Sequence, residues 1–306
     1  MVKELRERTG AGMMDCKQAL TESSGDLDAA IDWLRKKGLS KAAKKSGRIA
    51  AEGLIGVVVE NKRGAIVEVN SETDFVARNP QFQDMVRKIA NCALAAGGDL
   101  EKLLAMPYPG KSVTVAEFVN EMIAAVGENM SVRRTAAVTV GTGVIADYVH
   151  AKLAPGVGKI GVLVALESKA HKLKIAALAR QLALHIAAAS PLAITVEELD
   201  KEVIARERAI YVEQATASGK PKEIIEKMVE GRLRKEFYQQ VVLMQQVFLG
   251  EGGDGKQNVE QVIKAAEKTV GAPIKVTKFV RYALGEGIEK KDDDFAAEVA
   301  AAVKRT

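Results

Sequence analysis

Leu27, Ala30, Ile31 and Leu34 return at the spacing of one helix face, and Asp26 stands where an N-cap belongs. Ahead of them, Val2–Arg8 and Met13–Thr21 read as two short helices. The turn Thr9-Gly10-Ala11-Gly12 parts them, and the break Ser23-Ser24-Gly25 follows. Gly38 reads as the stop of the third helix. The pattern predicts a small helical core centred on Leu5, Met14, Leu20, Ile31 and one of Trp33 and Leu34.

Beyond this unit the pattern repeats. Gly64-Ala65-Ile66-Val67-Glu68-Val69 resembles Gly161-Val162-Leu163-Val164-Ala165-Leu166, two short β-rich runs. Each leads into an Ala-rich amphipathic helix, marked by Phe82, Met85, Val86, Ile89 and Ala93 in one copy and by Ile175, Leu178, Leu182 and Ile186 in the other. Val113–Phe118 then resembles Ile194–Leu199, both reading as helix starts, and Met130–Val138 resembles Ile274–Tyr282. Two copies of an α+β unit, rich in antiparallel pairing, account for these matches.

The copies differ in two places. The first is longer between strand and helix, where it carries Ser71-Glu72-Thr73-Asp74-Phe75-Val76-Ala77-Arg78-Asn79-Pro80. The second is interrupted between about Ile194 and Val242 by a helical excursion whose turn, Ser218-Gly219-Lys220-Pro221, separates two helices. Ile225, Met228 or Val229, Leu233 and Phe237 line one face of the second, predicting an αα-hairpin and a candidate surface for self-association. The three helices at the start look like a ubiquitin-associated-type docking bundle.

Composition narrows the class. A length of 306 residues implies two or three units, and an aromatic content of only 4% predicts helix-rich packing of small residues. The balance of 45 basic against 40 acidic residues gives +5, too slight to indicate nucleic acid by itself. No apolar run approaches the roughly 18 residues of a membrane span, and Met1–Arg8 lacks the apolar core of a secretory signal, so a cytoplasmic location is expected. Cys16 and Cys92 form no Cys-x-x-Cys and read as buried hydrophobes in a reducing compartment. His150, His171 and His185 never fall at helical ligand spacing, so no metal or other cofactor is expected.

Four charged or glycine-rich motifs need weighing. Arg35, Lys36, Lys37, Lys41, Lys44, Lys45 and Arg48 form a basic run, read either as a solvated helix end and linker or as a contact for an acidic protein face or RNA. Gly250–Gly255 matches G-x-G-x-x-G, but Glu251 and Asp254 would repel a pyrophosphate. Gly110-Lys111-Ser112 ends like a phosphate loop, yet Ala105 stands where glycine is required, and direct nucleotide binding is not expected. Glu68, Glu72 and Asp74 could cluster for acid–base work or a metal, but no histidine or nucleophile lies near them. In the 71–80 loop, Phe75 sits at a polar tip, where it either packs locally or enters a partner's pocket; composition alone favours local packing.

Four blocks bear on that choice. Leu5–Lys17 (LRERTGAGMMDCK) is very similar to the opening signature of the bacterial elongation factor Ts family, and Glu68–Arg78 (EVNSETDFVAR) resembles its central one. Ser218–Pro221 with Glu226–Arg232, and Gly285–Lys290, resemble later blocks, so the likeness runs in order over nearly the whole chain. It implies a non-enzymatic guanine-nucleotide exchange factor for elongation factor Tu, met in its GDP-bound and nucleotide-free forms. By this resemblance Phe75 enters an apolar pocket between two helices of the GTPase, with Asp74 making polar contacts beside it and Thr73 and Val76 shaping the loop. Arg6, Met13, Met14, Val126, Gly127 and His150 become further candidate contacts; of Met13 and Met14, one is expected in the core and one at the interface. The family passes from its histidine almost directly into the next strand, whereas here Ala151–Lys159 lengthens the connection and would displace His150.

The expected organisation is a helical module and basic linker (1–48), a core N-subdomain (49–141), a core C-subdomain (142–193 and 243–286), an inserted hairpin of dimerisation type (194–242) and a C-terminal helical module (287–306). Two alternatives from other classes stay open. One is a chaperone-like or RNA-binding adaptor using the first module and the basic run; the other is a hydrolase using the carboxylates of the loop.

Overall fold

The computed structural model describes residues 1–9, 11–217, 219–250 and 255–289. Three helices open the chain: α1 (Val2–Thr9), α2 (Met13–Glu22) and α3 (Leu27–Lys45). Then come β1 (Glu52–Glu60), β2 (Arg63–Ser71), the single turn α4 (Asp74–Arg78), α5 (Pro80–Ala96), α6 (Leu100–Ala105), α7 (Val115–Val126) and β3 (Met130–Thr139). The second part holds β4 (Gly143–His150), β5 (Val157–Gly158), β6 (Ile160–Glu167), α8 (Lys172–Ala189), α9 (Lys201–Thr216), α10 (Lys222–Arg232), α11 (Tyr238–Val241), α12 (Val259–Val270) and β7 (Lys275–Ala283). The expected helical tail lies, from residue 290 on, outside the described residues, as do 251–254 of the G-x-G-x-x-G motif.

The opening helices bury Leu5, Cys16, Ala19, Leu20 and Ala30, and Asp26 caps α3 by accepting from the Ala29 N–H at 2.9 Å. Met14 is not in this core. It and Met13 are 74% and 59% exposed, so neither fills the core place expected for one of them. Met14 lies about 200° round the helix from buried Cys16, and Met13 is the first residue of α2, beyond the last buried position.

Gly38 does not end α3. The helix runs on to Lys45, and a Cβ at Gly38 would lie 3.4 Å from that of Ala124, so the missing side chain is where α3 and α7 meet. The basic run is drawn into the same contact. Arg35 pairs with Glu117, Lys45 donates to the Gly127 carbonyl, and Lys37 reaches Asp15 at 3.1 Å over the Trp33 ring. Arg35, Lys37, Lys45 and Arg48 are thus directed at groups of their own chain, while Lys36 and Lys44 stay exposed.

Two antiparallel sheets form the body, in the orders β3-β2-β1-β5 and β4-β6-β7. Helix α5 covers the outer face of the first with Phe82, Met85, Val86 and Ile89 against Leu54, Ala65, Val67 and Val69. Helix α8 covers the second with Ile175, Leu178, Leu182 and Ile186 against Val162, Val164 and Leu166. The remaining faces meet through Ile55, Ile66, Val138, Ile145, Leu163 and Ala165, giving helix, sheet, sheet, helix. Because β2 and β6 are covered on both faces, their burial is continuous instead of alternating, and β2 takes Glu68 and Asn70 into the interior along with its apolar residues. Gly64 and Gly161, the first residues of the repeated motif, both lie where the sheets touch: a Cβ would come within 3.0 Å of Leu163 and 2.6 Å of Ile55, respectively.

The matched strands occupy matched places, β2 with β6 and β3 with β7, and the register slips at Glu68/Val69 in one sheet and at Ala165/Leu166, the aligned position, in the other. One correspondence changes. Thr195 opens only a 3-10 turn, Val196–Glu198, and the counterpart of α7 is α12. Thr114 with Glu117 and Asn258 with Gln261 form capping boxes, and each helix ends at a left-handed glycine, Gly127 before β3 and Gly271 before β7. The counterpart comes late because α9 and α10 intervene. They pack around Tyr211, Ala215, Ile225, Val229, Leu233 and Phe237, the turn passes through Gly219 (φ 65°), and Ser218 lies outside the described residues.

Candidate partner-binding surface

Strand β2 delivers the chain to the loop at Ser71, whose hydroxyl donates to the Thr73 carbonyl at 3.0 Å. The α4 turn follows, then Asn79, which accepts from the Gln81 N–H at 2.8 Å, and Pro80 at the start of α5. Val76 and Ala77 are buried in the first core. Val76 is therefore the anchor of the turn, shaping it from beneath, and not a surface that a partner can touch. Asp74 is paired with Arg78 at 3.0 Å, one helical turn on. Phe75 faces outward and is 77% exposed; among the described residues no large apolar side chain is more so. Local packing, which composition favoured, is not what this ring does.

The loop is held from the turn between α7 and β3. Glu128 accepts from both the N–H and the hydroxyl of Thr73, at 3.0 and 2.7 Å. Glu72 accepts from the Asn129 N–H at 2.5 Å and lies 3.5 Å from Arg48. Thr73 is thus tied to the turn that follows Val126 and Gly127 at the end of α7. Glu128 and Asn129 went unnoticed in the sequence, because nothing local ties them to a loop so far upstream.

Arg6, Met13 and Met14 are exposed on α1 and α2, apart from the loop and joined to it by way of α3. His150 is exposed at the end of β4, paired across to Ile160, with its Nδ1 3.3 Å from the Tyr148 hydroxyl. Residues 151–159 turn back so that β5 joins the edge of β1, Val157 is buried, and the Lys159 N–H returns to the His150 carbonyl at 3.0 Å.

The other motifs resolve into structural roles. Glu68, Glu72 and Asp74 form no cluster, since each has its own partners. Glu68 is fully buried and accepts from Arg134 Nε at 2.5 Å, the Gly285 N–H at 2.8 Å and the Asn70 amide at 3.1 Å, with Arg133 at 3.2 Å. Burial works against its charge, but the Gly285, Asn70 and Arg134 donors outweigh it and hold the carboxyl below its usual range. Lys111 donates to the Arg8 carbonyl at 3.2 Å, tying α1 to the loop before α7. His185 is buried, accepts the Leu249 N–H on Nδ1 at 3.2 Å and so carries its proton on Nε2 toward Gln246 at 2.9 Å; burial keeps it neutral. Among the described residues, no group of three or more His, Cys, Asp and Glu is placed to hold a metal, and no helix is long and apolar enough to cross a membrane.

The loop thus presents an exposed phenylalanine on a clamped turn, beside a helix end and backed by a two-sheet core. Comparison with known proteins bears on its role. A family model described as elongation factor TS matches residues 72–286, which take in the loop from Glu72 on, β3 and β5 of the first sheet, the whole second sheet and the hairpin. An elongation factor Ts of Parvibaculum lavamentivorans is 61% identical over 304 residues, covering 99% of this chain and 97% of that protein. Those of Rhodospirillum centenum and Bartonella henselae are 58% and 56% identical over 98% and 99% of this chain, covering 96% and 97% of their own lengths. With a match of that extent over both the loop and the core that carries it, the chain belongs to the elongation factor Ts family, a family of translation elongation factors.

Proposed function

We propose that this protein is the nucleotide exchange factor for elongation factor Tu, and that it works by presenting Phe75 to that GTPase as a wedge. The protein is not an enzyme; it forms and breaks no covalent bond. The observation that carries the reading is the 77% exposure of Phe75 on a turn whose neighbours Val76 and Ala77 are locked in the core. A ring left in water on a rigid mount gains about 2–3 kcal/mol when a partner's apolar pocket takes it in. That gain is realised only in the complex, so it is available to offset contacts that the partner loses around its Mg²⁺ and phosphates. The linkage is reciprocal: a factor that weakens GDP is itself weakened by GDP to the same degree. One side chain supplies only part of what is needed, which is why Asp74, Val126, Gly127, His150 and the exposed Arg6, Met13 and Met14 are assigned as supporting contacts.

In this reading the opening helices are a ubiquitin-associated-type module ahead of a duplicated core, and the α9–α10 hairpin is an insertion in its second half. The hairpin's exposed Ile210 and Ile224 support a role in contacts with a second chain. The test is release of a fluorescent GDP from elongation factor Tu. Wild-type protein accelerates it; Phe75→Ala loses at least about tenfold of the maximal stimulation, while its stability stays within about 0.5 kcal/mol, as for an exposed residue. Equal stimulation by the variant would remove Phe75 from the mechanism.

A further inference from the structure

The shape of the loop is imposed from outside it. Thr73 is the N-cap residue of α4, yet its side chain makes no capping bond to that helix. Its hydroxyl is instead turned outward as a donor to Glu128, which takes the Thr73 N–H on its other oxygen. A five-residue helix has little stability of its own, since nucleation costs more than one turn returns. The usual cap is given up, and a two-point hold from another element replaces it.

The same turn grips α3. The Asn129 N–H goes to Glu72, its side-chain amide donates to the Arg48 carbonyl at 2.7 Å, and Gly127 accepts from Lys45. The second copy of the core provides an internal control. There β6 leads into α8 with no counterpart of α4, and the residues in the places of Glu128 and Asn129 are Ala272 and Pro273. Neither side chain can accept or donate a hydrogen bond. The copy that lacks the loop also lacks the clamp.

We propose that Glu128 is a positioning residue for exchange: it holds the Thr73–Phe75 turn in its partner-binding shape before the partner arrives, and Asn129 ties that shape to the docked end of α3. The inference rests on the reading of Phe75 given above. A loop ordered in advance does not have to be ordered on binding, so the clamp acts on affinity more than on the rate within the complex. Phe75, as the wedge, acts on the rate itself.

The experiment uses the full chain with Glu128→Ala, Glu128→Gln, Thr73→Val and Phe75→Ala. Fluorescent GDP release from elongation factor Tu is measured across exchange-factor concentrations, and amide hydrogen exchange is followed in the free protein over residues 70–79. For Glu128→Ala the half-saturating concentration should rise about tenfold with the maximal rate kept within about twofold, and the Thr73 segment should exchange faster. Glu128→Gln, which keeps one acceptor, should recover most of the loss. Thr73→Val, which leaves the carboxylate in place, should show a smaller rise and serves as the second variant if Glu128→Ala does not fold. Unchanged half-saturation and unchanged amide exchange in Glu128→Ala and Thr73→Val would overturn the proposal, as would a fall in maximal rate like that of Phe75→Ala with half-saturation unmoved. If instead Phe75→Ala releases GDP like wild type, it is the wedge that fails, and the amide exchange still decides whether Glu128 holds the loop.

Discussion

Replacing Glu68 by Gln tests how the two sheets are locked together. The carboxylate lies on β2, three residues before the last residue of the strand, and is wholly buried. It accepts from Arg133 and Arg134 of β3, from Asn70, and from the Gly285 N–H just past β7, so one side chain ties the first sheet to the end of the second. Glutamine keeps the size but turns one acceptor into a donor that faces other donors, and it takes the Glu68 counter-charge from Arg133 and leaves Arg134 only Glu286, at 3.4 Å. Breaking a buried ion pair on one side costs about 3–5 kcal/mol. Here Arg133 and Arg134 keep 28% and 30% of their side-chain surface in water, so partial resolvation brings the expected loss to about 2–4 kcal/mol. Urea unfolding followed by circular dichroism reads this as a lower midpoint at unchanged slope.

The pH dependence gives a second reading of the same group. Because the folded carboxyl titrates below its ordinary value, the unfolded chain binds more protons in the acid range, and stability rises with pH there. The Glu68 contribution is complete above the unfolded value of about 4.3 and is lost as the pH falls through the folded one. Glu68→Gln should therefore flatten the acid limb of the stability curve as well as lower its plateau. A loss under 1 kcal/mol at neutral pH, with the acid limb unchanged, would refute the lock.

Two further outcomes are expected. His185 is neutral when folded and protonates more readily when unfolded, so stability should decline as the pH falls below about 6.5 toward the lower folded value; His185→Gln should flatten thermal midpoints between pH 7 and 5.5. Gly38→Ala should raise the unfolding free energy by about 0.5–1 kcal/mol, since an alanine in mid-helix is favoured and its methyl would meet Ala124 at ordinary contact distance. Gly38→Ile should lower it by forcing α3 off α7, and chemical denaturation compares the two.

Local features were legible wherever local physics decided them. The Asp26 cap, the stripe on α5 and the continuous strands β2 and β6 follow from spacing and side-chain type, and the structure places them so. The misreadings share a cause: a local signal outweighed by a distant partner. Gly38 has the look of a helix stop, but its cost in a helix interior is only about 1 kcal/mol, and the packing of α3 on α7 around it carries the helix on to Lys45. Arg35 and Lys45 of the basic run look solvated until Glu117 and Gly127 are brought to them from far along the chain. Thr195 carries the residues of a helix start but not the chain that continues it, since α9 and α10 intervene before α12 can be reached.

The repeat separates what builds the core from what the core is used for. Elements present in both copies, the three-stranded pairing, the slip at Glu68/Val69 and Ala165/Leu166, the capped helix and its glycine stop, can be understood as packing alone. Elements present in one copy need another reason, and the α4 turn with Phe75 is such an element. The residues after Gly127 and Gly271 differ in the same way, Glu128 and Asn129 standing against Ala272 and Pro273. Spacing along the chain does not show that correspondence, because Val113–Phe118 resembles Ile194–Leu199 more closely than it does its structural counterpart around Asn258. Asparagine and glutamine build the same capping box as threonine and glutamate from different letters, so the physical equivalence of the two helix starts survives where their sequence likeness does not.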